Sequence, residues 1–251
     1  MRTLTIRGVT FGEGRAKIAV PIVGRTRQDV LAEAAALLDL QPDLVEWRAD
    51  FYDALTEPRA LTDTLRALRG VLGELPLLFT VRTAREGGNA ALSPADYAAL
   101  TLAAAQSGCI DLADVELSIG RQAARALIAG IHAASCRAVG SRHDFSATPA
   151  QEVMRGFLCE AQELDADVPK LAVMAHSDAD TLSLLSAALA FRDHDADRPF
   201  VAIAMGAHGV LSRVACGLSG SCLTFGAAER GSAPGQLPVS ELRTLLALLP
   251  Q

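Results

Sequence analysis

Residues 199–206 read PFVAIAMG and residues 169–175 read PKLAVMA. Both runs are apolar on their two faces, with no strict alternation. A strand that buries both faces is typical of a parallel strand held between a packed interior and a layer of helices. Six further runs of this kind lie outward from these two: KIAVPIVG from Lys17, DLVEWRAD from Asp43, LLFTVRT from Leu77, DLADVEL from Asp111, RAVGSRHD from Arg137 and CLTFGA from Cys222. Successive starts are 23 to 34 residues apart, enough for a strand, a helix and two loops, as a parallel crossover requires. The intervening segments repeat apolar residues every three or four positions: DVLAEAAALLDL from Asp29, TLRALRGVL from Thr64, SPADYAALTLAAAQ from Ser93, then RQAARALIAGIHAA, PAQEVMRGFLCEAQEL, DADTLSLLSAALAF and ELRTLLALL. Ser93 is placed as a helix cap with Pro94 at the first helical position. Eight strand–helix units predict an α/β fold, a (β/α)8 TIM barrel formed by residues 1–251 as a single domain. An open doubly wound sheet is the alternative, weakened by the lack of a G-x-G-x-x-G after the first strand. The seventh unit, GVLSRVACGLSG, has room only for a short helix. At the start of the chain Leu4 and Ile6 alternate with threonines and the phase shifts at Gly8 to Val9 and Phe11, which predicts an N-terminal β-hairpin closing the barrel's bottom.

Composition narrows the function. Half of the 251 residues are apolar and 21% are charged, so a large core is available and global disorder is excluded. A net charge of −6 argues against nucleic acid as a partner. It permits an anionic small substrate if a few arginines gather locally. No apolar stretch reaches a membrane-spanning length and the N-terminus lacks a secretory pattern, so no membrane association is expected. Cys109, Cys136, Cys159, Cys216 and Cys222 form no C-x-x-C pair and read as reduced thiols in a cytoplasmic setting. No metal-ligand spacing and no nucleophilic-serine motif is present.

Charged residues inside buried strands need a reason. Glu46 and Arg48 are two apart in LVEWRAD and share a face. Arg82 is late in its strand, Glu86 follows in REGGN, Glu116 is late in DLADVEL, and His143 and Asp144 close the fifth strand. Arg213 follows the seventh strand, and the eighth is followed by ERGSAPGQLP. Most of these positions are at the carboxyl ends of strands, where α/β barrels carry their sites. Glu116 is equally a structural ion-pair partner, Arg85 reads as a solvated charge, and His132, His176, His194 and His208 as surface or packing histidines. Lys170 shares a face of PKLAVMA with Ala172 and Met174. A desolvated amine there favours its neutral form and attacks ketones to give imines; the alternative is a lysine at the start of a strand reaching solvent at the barrel's bottom. His143 suits proton transfer near neutrality, or it is a satisfied structural histidine.

Taken as an ordered set, VPIVGRT, PDLVEWRADFYD, FTVRTAREGG, DLADVEL, SRHDFSATP, PKLAVMA, AIAMGAHGVLSR and LTFGAAERGSAPGQLP resemble type I 3-dehydroquinate dehydratases, the Schiff-base enzymes of the shikimate pathway. The resemblance runs over nearly the whole chain. It implies a homodimeric barrel that uses no metal and no organic cofactor and acts on 3-dehydroquinate. It also implies Lys170 as the imine-forming lysine, His143 as general acid/base and Glu86 as its partner. Arg213 is implied as the carboxylate ligand, with Glu46, Arg48, Arg82 and Gln236 on the substrate hydroxyls and Ser232 and Ala233 in a closing loop. Pro21, Ala175, Ile203 and Gly231 depart from the family's usual residues; none is charged, so affinity is touched more than chemistry. Two rival readings are a class I Schiff-base aldolase, with the Gly206–Gly209 loop holding a phosphate, and a non-catalytic barrel-fold binding protein.

Overall fold

A computed structural model describes residues 2–228 and 233–249. Near its start β1 (Leu4–Ile6) and β2 (Val9–Phe11) pair antiparallel, Ile6 opposite Val9. The two residues between them, Arg7 and Gly8, have φ of 45° and 79°, the two-residue turn whose twist matches the flanking strands. The phase shift at Gly8 is therefore a hairpin turn, as the pattern predicts.

Eight parallel strands follow: β3 (Lys17–Ile22), β4 (Leu44–Arg48), β5 (Leu77–Thr80), β6 (Leu112–Glu116), β7 (Arg137–Asp144), β8 (Val168–Met174), β9 (Val201–Met205) and β10 (Leu223–Ala227). Their spatial order is β10-β3-β4-β5-β6-β7-β8-β9. The two edges meet at a bridge between Phe200 and Ser221, where the Cys222 N–H donates to the Phe200 carbonyl at 2.8 Å. The sheet thus curls round on itself, with a seam between β9 and β10. A short β11 (Leu237–Pro238) adds beside β10; at two residues it has no periodicity to read.

Three alternate strand pairs, β3–β4, β5–β6 and β7–β8, are locked at their lower ends by a reciprocal clamp. Asp43 Oδ2 accepts the Ile18 N–H at 2.8 Å, Asp111 Oδ2 that of Leu77 at 2.8 Å, and Asp167 Oδ2 that of Ala138 at 2.8 Å. Each aspartate N–H donates back to the same residue's carbonyl. At the seam the corresponding acceptor is the neutral Ser221 Oγ, 3.1 Å from the Ala202 N–H. Ionised acceptors make roughly twice the bond, so the seam is the least firmly clamped of the four.

The helices are α1 (Arg27–Leu37), α2 (Pro58–Leu72), α3 (Pro94–Gln106), α4 (Arg121–Ala133), α5 (Gln151–Glu163), α6 (Asp178–His194), α7 (Val210–Val214), α8 (Cys216–Ser219) and α9 (Val239–Leu248). Ser93 caps α3 as expected, accepting from Asp96 N, and Thr26 and Ser177 form capping boxes. Helix α2 begins at Pro58 rather than Thr64, because proline is well suited to the first helical turn. The seventh unit holds only the short α7 and α8.

Alternation along each strand separates two cores. Outward-facing Val20, Val45, Trp47, Phe79 and Val115 pack with the helices. Inward-facing Leu44, Leu78, Leu112, Val139, Val168, Val201 and Leu223 close around Ile6 and Phe11 of the hairpin. The hairpin therefore plugs the bottom. Two residues further along, about 6.6 Å up the strands, the inward positions become Glu46, Thr80, Asp114, Ser141 and Lys170, all buried.

Candidate active site

That change in composition opens a pocket of about 470 Å³, mouth included, lined by Glu46, Arg48, Arg82, His143, Lys170 and Arg213, with Ala233 and Gln236 above. Phe145, Ala172, Ile203, Met205 and Phe225 supply its apolar wall. Lys170 stands opposite Ser141 in the β7–β8 register and is 6% exposed. Its amine does not reach solvent at the bottom, because the hairpin and the leucine layer fill that end. Nor is it in the apolar slot that PKLAVMA suggests. Its Nζ is 3.6 Å from Glu46 Oε1, 3.7 Å from Asp114 Oδ2 and 4.6 Å above the centre of the Phe225 ring. Strand alternation identifies only the lysine's own neighbours; its carboxylate partners come from β4 and β6.

His143 is set by Glu86. The carboxylate Oε2 accepts the His143 backbone N–H at 3.0 Å and is 2.8 Å from Nδ1. That contact assigns the ring proton to Nδ1 when Glu86 is ionised and leaves Nε2 as the basic nitrogen. Burial, reinforced by Arg82, Lys170 and Arg48, holds the imidazole well below its usual pKa. Burial also pushes Glu86 up to about 7, with Arg82 opposing and Glu116 adding to the rise. The loop carrying Glu86 lies so close to its surroundings that side chains at its glycines would collide. A Cβ on Gly87 (φ +77°) would meet the Phe145 ring at 2.5 Å, and one on Gly88 the Arg82 carbonyl at 2.1 Å. The REGGN glycines thus bring Glu86 under the histidine.

The arginines differ in what they are paired with. Arg48 is held by Asp50 through Nε at 2.7 Å and a second nitrogen at 2.8 Å. Asp50 also accepts from the backbone N–H groups of Arg82 and Asn89. Arg82 donates to Glu116 at 2.8 Å and Ser141 at 3.2 Å and pairs with Asp114 at 2.9 Å. Burial opposes its charge, but Asp114, Glu116 and Glu86 outweigh it and raise its pKa. Arg213 is 1% exposed and has no carboxylate partner among the described residues. Its guanidinium donates to the carbonyls of Pro234 at 2.9 Å and Phe225 at 3.5 Å, its Nε has no partner, and burial lowers it to about 10. A buried cation left this way is short of an anion.

The structure therefore gathers Glu46, Arg48, Arg82, His143, Lys170, Arg213, Ala233 and Gln236 around one pocket, with Glu86 behind His143. Ser232 and Gly231 lie outside the described residues. Glu116 takes the ion-pair reading: it also accepts the Thr83 N–H at 2.8 Å and does not line the pocket. Arg85 is exposed, and His132, His176, His194 and His208 sit outside the pocket. Pro21 is buried opposite Glu46 in the β3–β4 register, and Ala175 is buried just past β8. Gly206 is covered by the segment above it, its N–H directed at the Pro234 carbonyl at 3.4 Å, and a Cβ on Gly235 would meet the Gly206 carbonyl at 2.4 Å; this leaves no open phosphate loop there. Sequence reading missed Asp50, Thr80, Asp114 and Ser141. Asp114 was within reach, because it stands two before Glu116 on the same face, the argument already applied to Glu46 and Arg48.

A curled parallel sheet whose pocket gathers a buried amine, a carboxylate-held imidazole and a guanidinium with no carboxylate partner among the described residues defines an α/β-barrel enzyme. The comparisons specify which one. The family model for type I 3-dehydroquinase matches residues 18–251. The 3-dehydroquinate dehydratase of Salmonella paratyphi B is 41% identical over 251 residues, 100% of both chains. The 3-dehydroquinate dehydratase of Geobacillus kaustophilus superposes with a TM-score of 0.96 at 37% identity, covering 99% of this chain and 96% of that one. The type I enzyme of Clostridium difficile, solved with covalently modified comenic acid, gives 0.95 at 39% identity over 98% and 97%. The chain belongs to the type I 3-dehydroquinase family and is a lyase.

Proposed function

We propose that this chain dehydrates 3-dehydroquinate to 3-dehydroshikimate through an imine on Lys170, as a step of the shikimate pathway. The observation that carries this reading is the pairing, in one pocket, of a buried amine with a buried guanidinium that has no carboxylate partner among the described residues. A cyclic keto acid answers both at once, its carboxylate on Arg213 in a charge-assisted bidentate contact and its ketone at Lys170. The Lys170 ammonium first gives up a proton. Its nitrogen then bonds to the carbonyl carbon; the oxygen takes one proton from that nitrogen and a second equal to the one the ammonium released, and leaves as water as the C=N bond forms. The protonated imine withdraws electrons from the adjacent carbon, and His143 Nε2 removes a proton there to give an enamine. The enamine pair expels the β-hydroxyl, which takes the proton from His143 and departs as water. Addition of water to the imine releases product and restores the amine. Glu46, Arg48 and Gln236 hold the hydroxyls, Glu86 orients His143, and Ser232 and Ala233 belong to the closing segment. Arg82 is matched by carboxylates and acts mainly through its charge. We read the protein as a cytoplasmic homodimer of single-domain barrels; among the described residues no helix is long and apolar enough to cross a membrane.

The test is reduction of the protein with borohydride in the presence of 3-dehydroshikimate, followed by mass analysis. The expected adduct is on Lys170, and Lys170→Met abolishes both adduct and dehydration. An active enzyme with an unmodified Lys170, or full turnover in Lys170→Met, rejects the reading.

A further inference from the structure

Asp114 is a buried charge beneath this pocket, facing Lys170, to which the imine mechanism assigns no task. It is fully buried in β6. Its Oδ1 accepts from Ser141 Oγ at 2.7 Å and pairs with Arg82 at 2.9 Å. Its Oδ2 makes no hydrogen bond and is 3.7 Å from Lys170 Nζ. Burial alone would raise this carboxyl, but Arg82 and Lys170 outweigh it and hold it below the usual range. The other charged groups around the lysine are Glu46 and Arg48 from β4, Arg82 after β5, Glu116 in β6, His143 in β7 with Glu86 behind it, and Arg213 from α7. Glu46 accepts from Thr80 Oγ1 at 2.9 Å and faces the pocket, where a substrate hydroxyl competes for it. Asp114 has no such competitor.

We propose that Asp114 is the fixed counter-ion that keeps the imine nitrogen protonated. This rests on the imine reading above. Imine formation leaves the positive charge on the lysine nitrogen, because the ammonium and the iminium each carry one proton's charge and only water is lost between them. The iminium is an electron sink only while that proton stays on. A carboxylate oxygen a few ångströms away favours the charged form, and the face of Phe225 adds to it. Asp114 itself transfers no proton.

Asp114→Asn isolates the charge, since the retained oxygen can still accept from Ser141 and Arg82. The imine formed with 3-dehydroshikimate is conjugated, and its protonated form absorbs at longer wavelength than the neutral one. Titrated between pH 6 and 10, the long-wavelength band of Asp114→Asn is expected to disappear about one pH unit or more below that of the unaltered protein. The alkaline limb of kcat moves with it, costing about tenfold where the two curves separate. The same titration in Glu46→Gln moves less. A band and a kcat limb that titrate as in the unaltered protein overturn the proposal. Should Asp114→Asn not fold, the unaltered protein decides. Its band must outlast that of the imine made from product and butylamine in water by about one pH unit, and coincidence of the two overturns the proposal. Absence of any band or borohydride adduct in the unaltered protein instead rejects the imine reading itself.

Discussion

The two ends of this barrel are built from the same strands and the same inward-facing positions, yet they do opposite things. At the lower end Leu44, Leu78, Leu112, Val139 and Val168 close around Phe11. One inward step higher the same strands present Glu46, Thr80, Asp114, Ser141 and Lys170, all of which form a connected polar network with Arg82. The lower layer has no polar groups to satisfy and supplies cohesion through burial. The upper layer contains buried charges, which are costly unless paired. There the charges are paired with one another, whereas Arg213, reaching the pocket from α7, has no carboxylate partner among the described residues. The comparison teaches that stability and chemistry are separated along the barrel axis by a single inward step.

This separation can be broken by substitution. After Lys170→Met, the largest effect on activity is expected from His143→Ala, which should slow dehydration by about 10²–10⁴-fold while borohydride trapping and the melting temperature stay close to those of the unaltered protein. Turnover within a fewfold of the original would remove His143 from its role. At the other end Phe11→Ala should cost about 3–5 kcal/mol of stability, read as a lower denaturant midpoint, with kcat/KM of the folded fraction unchanged. A comparable loss of kcat/KM would mean that the plug and the site are coupled. Arg213→Ala should raise KM about 10- to 100-fold through the loss of a charged hydrogen bond worth roughly 1.5–3 kcal/mol. An unchanged KM would dissociate the unmatched cation from the substrate carboxylate.

The smallest effect concerns pH. Glu86, raised to about 7, binds more proton folded than unfolded, so its contribution to stability is lost as pH rises from the ordinary carboxylate range through about 7. His143, depressed by burial, has the opposite sign, adding stability as pH rises toward about 6.5. In the intact protein the two slopes offset one another. Glu86→Gln leaves the histidine slope alone, so its melting temperature should climb more steeply between pH 5 and 6.5, by about 2–4 °C relative to the parent. Parallel curves for the two proteins would show that Glu86 is ionised throughout this range.

Much of this was legible in the chain. The strand starts lie within two residues of the structure's, because buried parallel strands leave long apolar runs that few other arrangements produce. The hairpin followed from a phase shift at Gly8, and the polar residues at strand ends marked the site. Other features were hidden for identifiable reasons. Asp50 belongs to a short turn after β4, where no period exists to place it. Strand β11 is two residues long. The environment of Lys170 was misread, since its own strand is apolar on both sides while its partners arrive from strands more than fifty residues away.

The sequence by itself determined the alternation of strands and helices, the inward face of each strand and the charged residues on that face, because these depend on periodicity along one segment. Tertiary structure alone decided which charges meet. Glu86 became the support of His143, Arg82 became a matched ion rather than a free one, Asp114 came to face Lys170, and Arg213 was left without a carboxylate partner among the described residues. Electrostatic energy depends on distance through space, and closing the sheet brings β4, β6 and β8 across from one another, an arrangement that no local pattern encodes.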